Sequence, residues 1–260
     1  MTPMPDRGCQ METVVRWRVW RAVLLLCGLI MLGSAADVRA GTLLSPGPAV
    51  LVRKSAEPFG VFAFAISTGD VRQKWFHLKD KLDDEMVQLA LCDGDRDGCV
   101  SPAALKLLAI VDQARAREGR ARLGETNRAI NLSIKATDDG ADDVWSSPLA
   151  TFGRGAGDCE DYAIAKLAAL RLAGMAAEDL RVVVVRDTRA GEAHAVVAAR
   201  LENRWLMLDN RRMAMVEDEA ARMYQPLFVL YQSAVLKYVD EPAFASAGTR
   251  PAMIAASEAR

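Results

Sequence analysis

Gly157-Asp158-Cys159-Glu160-Asp161-Tyr162-Ala163 sets a cysteine at the point where a glycine-rich loop turns into a helix. Downstream, Ala163, Ile164, Leu167, Ala168, Leu170 and Leu172 are strong helix formers with an apolar face, and Gly174 ends the run. The periodicity then changes from helical to extended. Arg181–Arg186, His194–Arg200, Trp205–Asp209 and Leu227–Tyr231 read as strands separated by turn residues. A helix followed by short strands of this kind gives an α+β class, with an antiparallel sheet behind the cysteine helix.

A thiol is a nucleophile only as thiolate, and the N–H groups and dipole of a helix N-terminus are suited to stabilising that anion. A nucleophilic cysteine also needs a base, and the chain contains only two histidines. His77 sits beside aromatics in an N-terminal lead-in and reads as structural. His194 opens a strand after the turn Ala190-Gly191-Glu192, a position that presents a side chain over a cleft. The group that holds the imidazole tautomer should lie on a neighbouring strand. If a four-residue turn, Leu201 to Arg204, pairs Arg200 with Trp205, Asp209 falls opposite Val196 and becomes a diagonal neighbour of His194, roughly 7–8 Å away between backbones. A tighter pairing would carry Asp209 too far along the strand. Without further information Cys159 also fits a small buried residue, and Asp209 a hairpin carboxylate.

The formal charge of -1 disfavours a nucleic-acid or membrane-surface partner. Arg16, Arg18 and Arg21 precede an apolar run from Ala22 to Met31, followed by Val38-Arg39-Ala40-Gly41. Residues 1–40 therefore read as a secretory signal cleaved after Ala40, or alternatively after Ala36. The run is about half of the ~20 residues needed to span a bilayer, so a mature form that does not span the membrane is expected. A lipoprotein signal at Cys27 is disfavoured because Leu26 precedes it. Export leaves Cys92, Cys99 and Cys159. In an oxidising compartment these are economically read as a Cys92–Cys99 disulfide and one free thiol at Cys159.

Residues 41–240 are expected to form one domain, with a helical part at about 80–135, a core at about 145–231 and a loose polar tail at 241–260. From Gly41 to about Leu78 the chain reads as an irregular lead-in anchored by Trp75-Phe76-His77. Helices are expected from Asp80, with Leu82, Met86, Leu89 and Ala90 on one face, from Pro102 through Ala114, and over Gly124–Ser133. Between the first two lies Asp93-Gly94-Asp95-Arg96-Asp97-Gly98, which opens like an EF-hand calcium loop. Ala104 occupies the twelfth position, where a bidentate Glu is required, so a disulfide-bridged loop is the better reading.

Trp145-x-x-Pro148, the run Gly157 to Lys166, Leu180-Arg181-Val182, His194-Ala195-Val196 and Leu208-Asp209-Asn210 together resemble the bacterial transglutaminase-like cysteine proteinases of the papain/transglutaminase superfamily. The likeness covers about residues 120–231. It implies a papain/transglutaminase-like fold and a periplasmic endopeptidase acting on a protein substrate, with a cell-surface adhesin as the candidate by analogy. Cys159 would attack the peptide carbonyl, His194 would move the proton, and Asp209 would orient His194. The resemblance further implies calcium beside the nucleophile, carried to Asp158 and Glu160. Those acids equally suit a helix cap and first turn, and both readings stay open here. An amidase or acyl transferase on the same triad is the rival within enzymes. A non-catalytic periplasmic calcium-binding interaction module is the rival outside them. Whether an inner-membrane regulatory protein restrains the enzyme is open, and no organic cofactor is expected.

Overall fold

The computed structural model describes residues 54–137 and 143–239. The signal at 1–40 and the tail at 241–260 lie outside the described residues. Helix α1 (Asp70–Gly94), α2 (Pro102–Arg115) and α3 (Gly119–Ser133) precede a short helix α4 (Pro148–Arg154) and the cysteine helix α5 (Cys159–Leu172). The strands are β1 (Ala63–Ala65), β2 (Lys135–Ala136), β3 (Ala156–Gly157), β4 (Leu180–Asp187), β5 (Glu192–Leu201), β6 (Arg204–Leu208), β7 (Val216–Glu217), β8 (Tyr224–Tyr231) and β9 (Ala234–Tyr238). Seven of them form one antiparallel sheet in the order β1-β9-β8-β4-β5-β6-β7, and β2 and β3 pair in parallel.

Both faces of the sheet centre are covered, which is why Val182–Val185 is a continuous apolar run rather than an alternating one. Val182 and Val184 face α1 and α5 together with Trp75, Leu78, Ile164 and Leu206. Val183 and Val185 face the other way, against Trp205, Met207, Tyr224 and Tyr238, where Phe59 and Val61 of the N-terminal segment close the layer. A second helical core joins Leu107, Val111, Ile130, Phe152, Ala165 and Ala169. Helix α5 lies between the two cores, and every residue from Glu160 to Leu170 is buried. Its alanines permit close approach of the neighbouring helices and sheet.

The first helix begins at Asp70 rather than Asp80, so Trp75-Phe76-His77 belongs to it and is no lead-in. Trp75 is the anchor, fully buried with its indole N–H donating to the Tyr231 carbonyl at 3.1 Å, whereas His77 is exposed. Cys92 and Cys99 are disulfide-bonded. The carboxylate of Asp93, first in the calcium-like loop, is gripped by Arg96 and Arg115 at 2.6 and 2.7 Å, which hold its pKa below the ordinary value. Bridge and guanidinium groups thus occupy the loop's first acid.

The β5–β6 hairpin has the expected register, Arg200 against Trp205 and Val197 against Leu208. The turn is tighter than four residues: Leu201 and Arg204 also pair, leaving Glu202-Asn203 at φ 52 and 62°. Positive φ at both central residues is the geometry that matches the right-handed twist of the flanking strands. This turn is what delivers Asp209 to the level of His194.

Candidate active site

Three local devices aim Cys159. The chain leaves α4 through Gly155 in the left-handed region (φ 67°), runs along β3, and enters α5 with Asp158 as N-cap, its carboxylate accepting from the Asp161 N–H at 3.5 Å. Gly157 is needed for close approach, because a Cβ there would stand 2.6 Å from Asp161 Oδ2. Asp161 is itself fully buried, accepting from the Ser146 N–H and from Arg154 Nη2, both at 2.8 Å. It ties the entry to α4 and the Arg154 guanidinium to the start of α5. Glu85 of α1 accepts from Ser147 Oγ and the Leu149 N–H, fixing the N-terminus of α4, which the Trp145-x-x-Pro148 stretch leads into.

The base half of the site stands on β5 and the end of β6. His194 is buried, and its Nε2 lies 2.9 Å from Asp209 Oδ1. Asp209 accepts at Oδ2 from the Tyr224 hydroxyl at 2.5 Å and at Oδ1 from the Arg211 backbone N–H at 2.9 Å. Burial alone would raise its pKa, but the bonds from His194, Tyr224 and Arg211 overcome that and hold the carboxyl well below the usual range. Burial and the Asp209 charge push the Tyr224 phenol up, so the hydroxyl remains a donor. A charged Asp209 receives Nε2–H and leaves Nδ1 as the basic atom; Nδ1 is buried and takes no hydrogen bond.

Cys159 and His194 line one cleft of about 890 Å³, with Trp145, Glu160, Glu192 and Arg211 among its walls. The backbone of Ala195, the residue after His194, acts to lower the pKa of the Cys159 thiol. The thiol donates to Glu160 Oε2 at 3.0 Å. Burial first, then the Glu160 charge and hydrogen bond, raise its pKa above the ordinary thiol range, with Asp158 adding to the effect and Ala195 opposing it. The helix terminus does not win at this position; desolvation and the acids do.

Glu160 is unlike the capping acids. Burial, then its hydrogen bond with Asp143, push its pKa up to about 8. Asp143 in turn is paired with Lys74 at 2.5 Å and accepts from the Trp145 indole at 3.2 Å. Asp143, Asp158 and Glu160 each offer hard oxygen donors of the type calcium prefers. No group of three or more His, Cys, Asp or Glu side chains is assembled as a metal site among the described residues. The donor chemistry fits a cation, and the carboxyl that binds its proton too tightly is the one a cation would relieve.

The structure therefore brings together Cys159, His194, Asp209, Asp158 and Glu160. Sequence reasoning missed Tyr224 and Asp143. Tyr224 lies on β8, separated from β5 by β4, and no spacing rule links it to Asp209. Asp143 belonged to a polar stretch with no pattern of its own. Lys166 is fully buried one turn beyond Tyr162, and burial pulls its pKa down to about 7 while Asp209 raises it.

A family model described as bacterial transglutaminase-like cysteine proteinase matches residues 87–235. No curated protein matches the sequence. Among solved structures, calcium-bound LapG of Legionella pneumophila is 22% identical with a TM-score of 0.51, over 62% of this chain and 92% of that one. The EGTA-treated form is 22% identical with a TM-score of 0.50, over 60% and 86% of the two chains. At that identity the likeness speaks for the fold, a helix bearing the cysteine packed on an antiparallel sheet.

Proposed function

Because the chain belongs to the bacterial transglutaminase-like cysteine proteinases, and is thereby a cysteine peptidase, we propose that Cys159, His194 and Asp209 are its catalytic triad. The observation that carries this reading is the buried His194–Asp209 pair, which leaves Nδ1 without a hydrogen bond on a residue that lines the same cleft as Cys159. Nδ1 takes the thiol proton as the sulfur attacks the scissile carbonyl, and returns it to the leaving amine. The thioester then yields to water, activated by the same nitrogen. Backbone N–H groups at the start of α5, including that of Cys159, would serve the oxyanion.

Calcium is proposed at Asp158 and Glu160, with Asp143 beside them. Bound there, the cation would neutralise the acids that now keep the thiol protonated. Support comes from the donor set, from the raised Glu160 pKa and from a similar fold described in a calcium-bound form. Residues 1–40 are proposed to export a domain of residues 41–240 to the periplasm, where a surface adhesin would be the protein substrate. Described helices include none long and apolar enough to cross a membrane. An inner-membrane regulator remains part of this proposal as a partner.

The test is chemical first. With calcium supplied, iodoacetamide should label Cys159 far faster in the folded protein than in denatured protein, and His194→Ala should remove the difference; slow labelling indifferent to that change overturns the reading. Comparison of surface-protein N-termini from cells carrying wild-type and Cys159→Ala protein then identifies the substrate as the protein whose new terminus depends on Cys159.

A further inference from the structure

Strand β6 ends at Leu208, so Asp209 is the first residue beyond the sheet ladder. The segment from Asp209 to the start of β7 at Val216 has no strand partner, yet it carries the carboxylate on which His194 depends. The Arg211 side chain ties it to Asp187 and Glu192, and its backbone carbonyls are held from α3. Asn131 donates through Nδ2 to the Asp209 carbonyl at 2.9 Å and to the Arg212 carbonyl at 3.2 Å. Asn127, one turn earlier and fully buried, donates through Nδ2 to the Arg212 carbonyl at 2.8 Å and the Met213 carbonyl at 3.1 Å.

These two amides are maintained at a cost. The Oδ1 atoms of Asn127 and Asn131 are both buried without a hydrogen-bond partner, and buried unpaired acceptors are destabilising. An apolar pair at these positions would pack α3 without that penalty. What it would lose is the grip on three backbone carbonyls, those of Asp209, Arg212 and Met213. The Arg211 N–H that donates to Asp209 Oδ1 sits inside the gripped segment, so the same grip sets one of the carboxylate's own bonds.

We propose that Asn127 and Asn131 are positioning residues for Asp209, pinning from behind the unpaired backbone that carries it so that its carboxylate meets His194 Nε2. Neither asparagine touches the reacting atoms; both act through Asp209. The proposal rests on the triad reading above, and its failure is distinguishable from failure of that reading.

The experiment measures, on the whole exported chain, the second-order rate of iodoacetamide alkylation at Cys159 against pH, with melting temperature alongside. Asn131→Leu keeps the branched outline of the side chain and removes the donor. Misplacement of a catalytic group by about an ångström costs up to about 100-fold, so a 10- to 100-fold slower alkylation is expected. The pH at which reactivity sets in should move in the same direction as in Asp209→Ala. Asn127→Ala, which does not touch residue 209, should give a smaller effect of the same kind, and it carries the test if Asn131→Leu does not fold. A purely structural role would lower the melting temperature and leave rate and pH onset of the folded protein unchanged, and that result overturns the proposal. If Asp209→Ala itself leaves reactivity unchanged, the triad reading falls and takes this inference with it.

Discussion

The two halves of the site are built to different standards. On the His194 side, Asp209 is held by an imidazole, a phenol and a backbone N–H, and its charge is secured. On the Cys159 side the thiol donates to Glu160, a carboxyl that holds its own proton tightly, and both groups lean away from the charge state catalysis requires. On the proposed triad the base is preorganised and the nucleophile is held back. The proposed calcium site would then be a point of control, at which a cation would change the protonation of the sulfur without moving the base.

The sharpest way to break the comparison is at its finished half. Asp209→Asn preserves shape but presents the wrong partner to Nε2, and cleavage of the substrate is expected to fall about 10⁴-fold with the fold retained. A drop of a few fold, measured as kcat/KM, would mean that the base half is not preorganised through Asp209.

The unfinished half should answer to calcium. Calcium at about 100 times its Kd is expected to stabilise the fold by about 2.7 kcal/mol, seen as a rise in Tm, and to speed Cys159 alkylation. Glu160→Gln should abolish both responses. The pH dependence has a definite sign. A carboxyl raised from 4.5 to about 8 binds its proton more tightly in the folded state, so its contribution to stability is in place at low pH and is lost as pH rises through about 8. Calcium-free protein should therefore lose Tm over that window, and Glu160→Gln should flatten the slope; an unchanged slope would detach Glu160 from the effect.

Tyr224→Phe removes one hydrogen bond to a charged acceptor. With His194 and the Arg211 N–H still in place, a loss of roughly tenfold in kcat with KM little changed is expected. The smallest effect on chemistry should come from Cys92→Ser with Cys99→Ser. Opening that short loop should cost roughly 2 kcal/mol of stability while alkylation of Cys159 in the folded protein stays unchanged. A slowed alkylation would link the loop to the site.

Much of the base half was legible because it is local. His194 sits on β5 and Asp209 directly follows β6, two strands joined by a tight turn, and period-two geometry carries a register across such a turn. The start of α5 was equally plain, since glycine, N-cap and helix formers follow one another in the chain. Tyr224 was invisible for the opposite reason: it reaches Asp209 across the sheet, and β8 is set by pairings that no short window contains. α1 starts ten residues before the expected Asp80, because Val71, Trp75, Leu78 and Leu82 continue one helical face through the aromatic cluster Trp75-Phe76-His77. The sheet's edge strands β1 and β7 are too short to stand out from turns. The direction of the Cys159 shift could not be read from the helix start, since it depends on burial and on Asp143, which only the folded chain brings near.

Helix α5 is enclosed on all sides from Glu160 to Leu170, and this determines where the nucleophile sits on the protein's ladder of openings. Amide hydrogens of an element shared by two cores exchange only when the whole domain opens, while peripheral turns exchange through local fraying. Cys159 occupies the first turn of that slow-exchanging element. Heat should accordingly silence the enzyme in step with global unfolding, with no earlier stage at which a folded protein has lost its nucleophile.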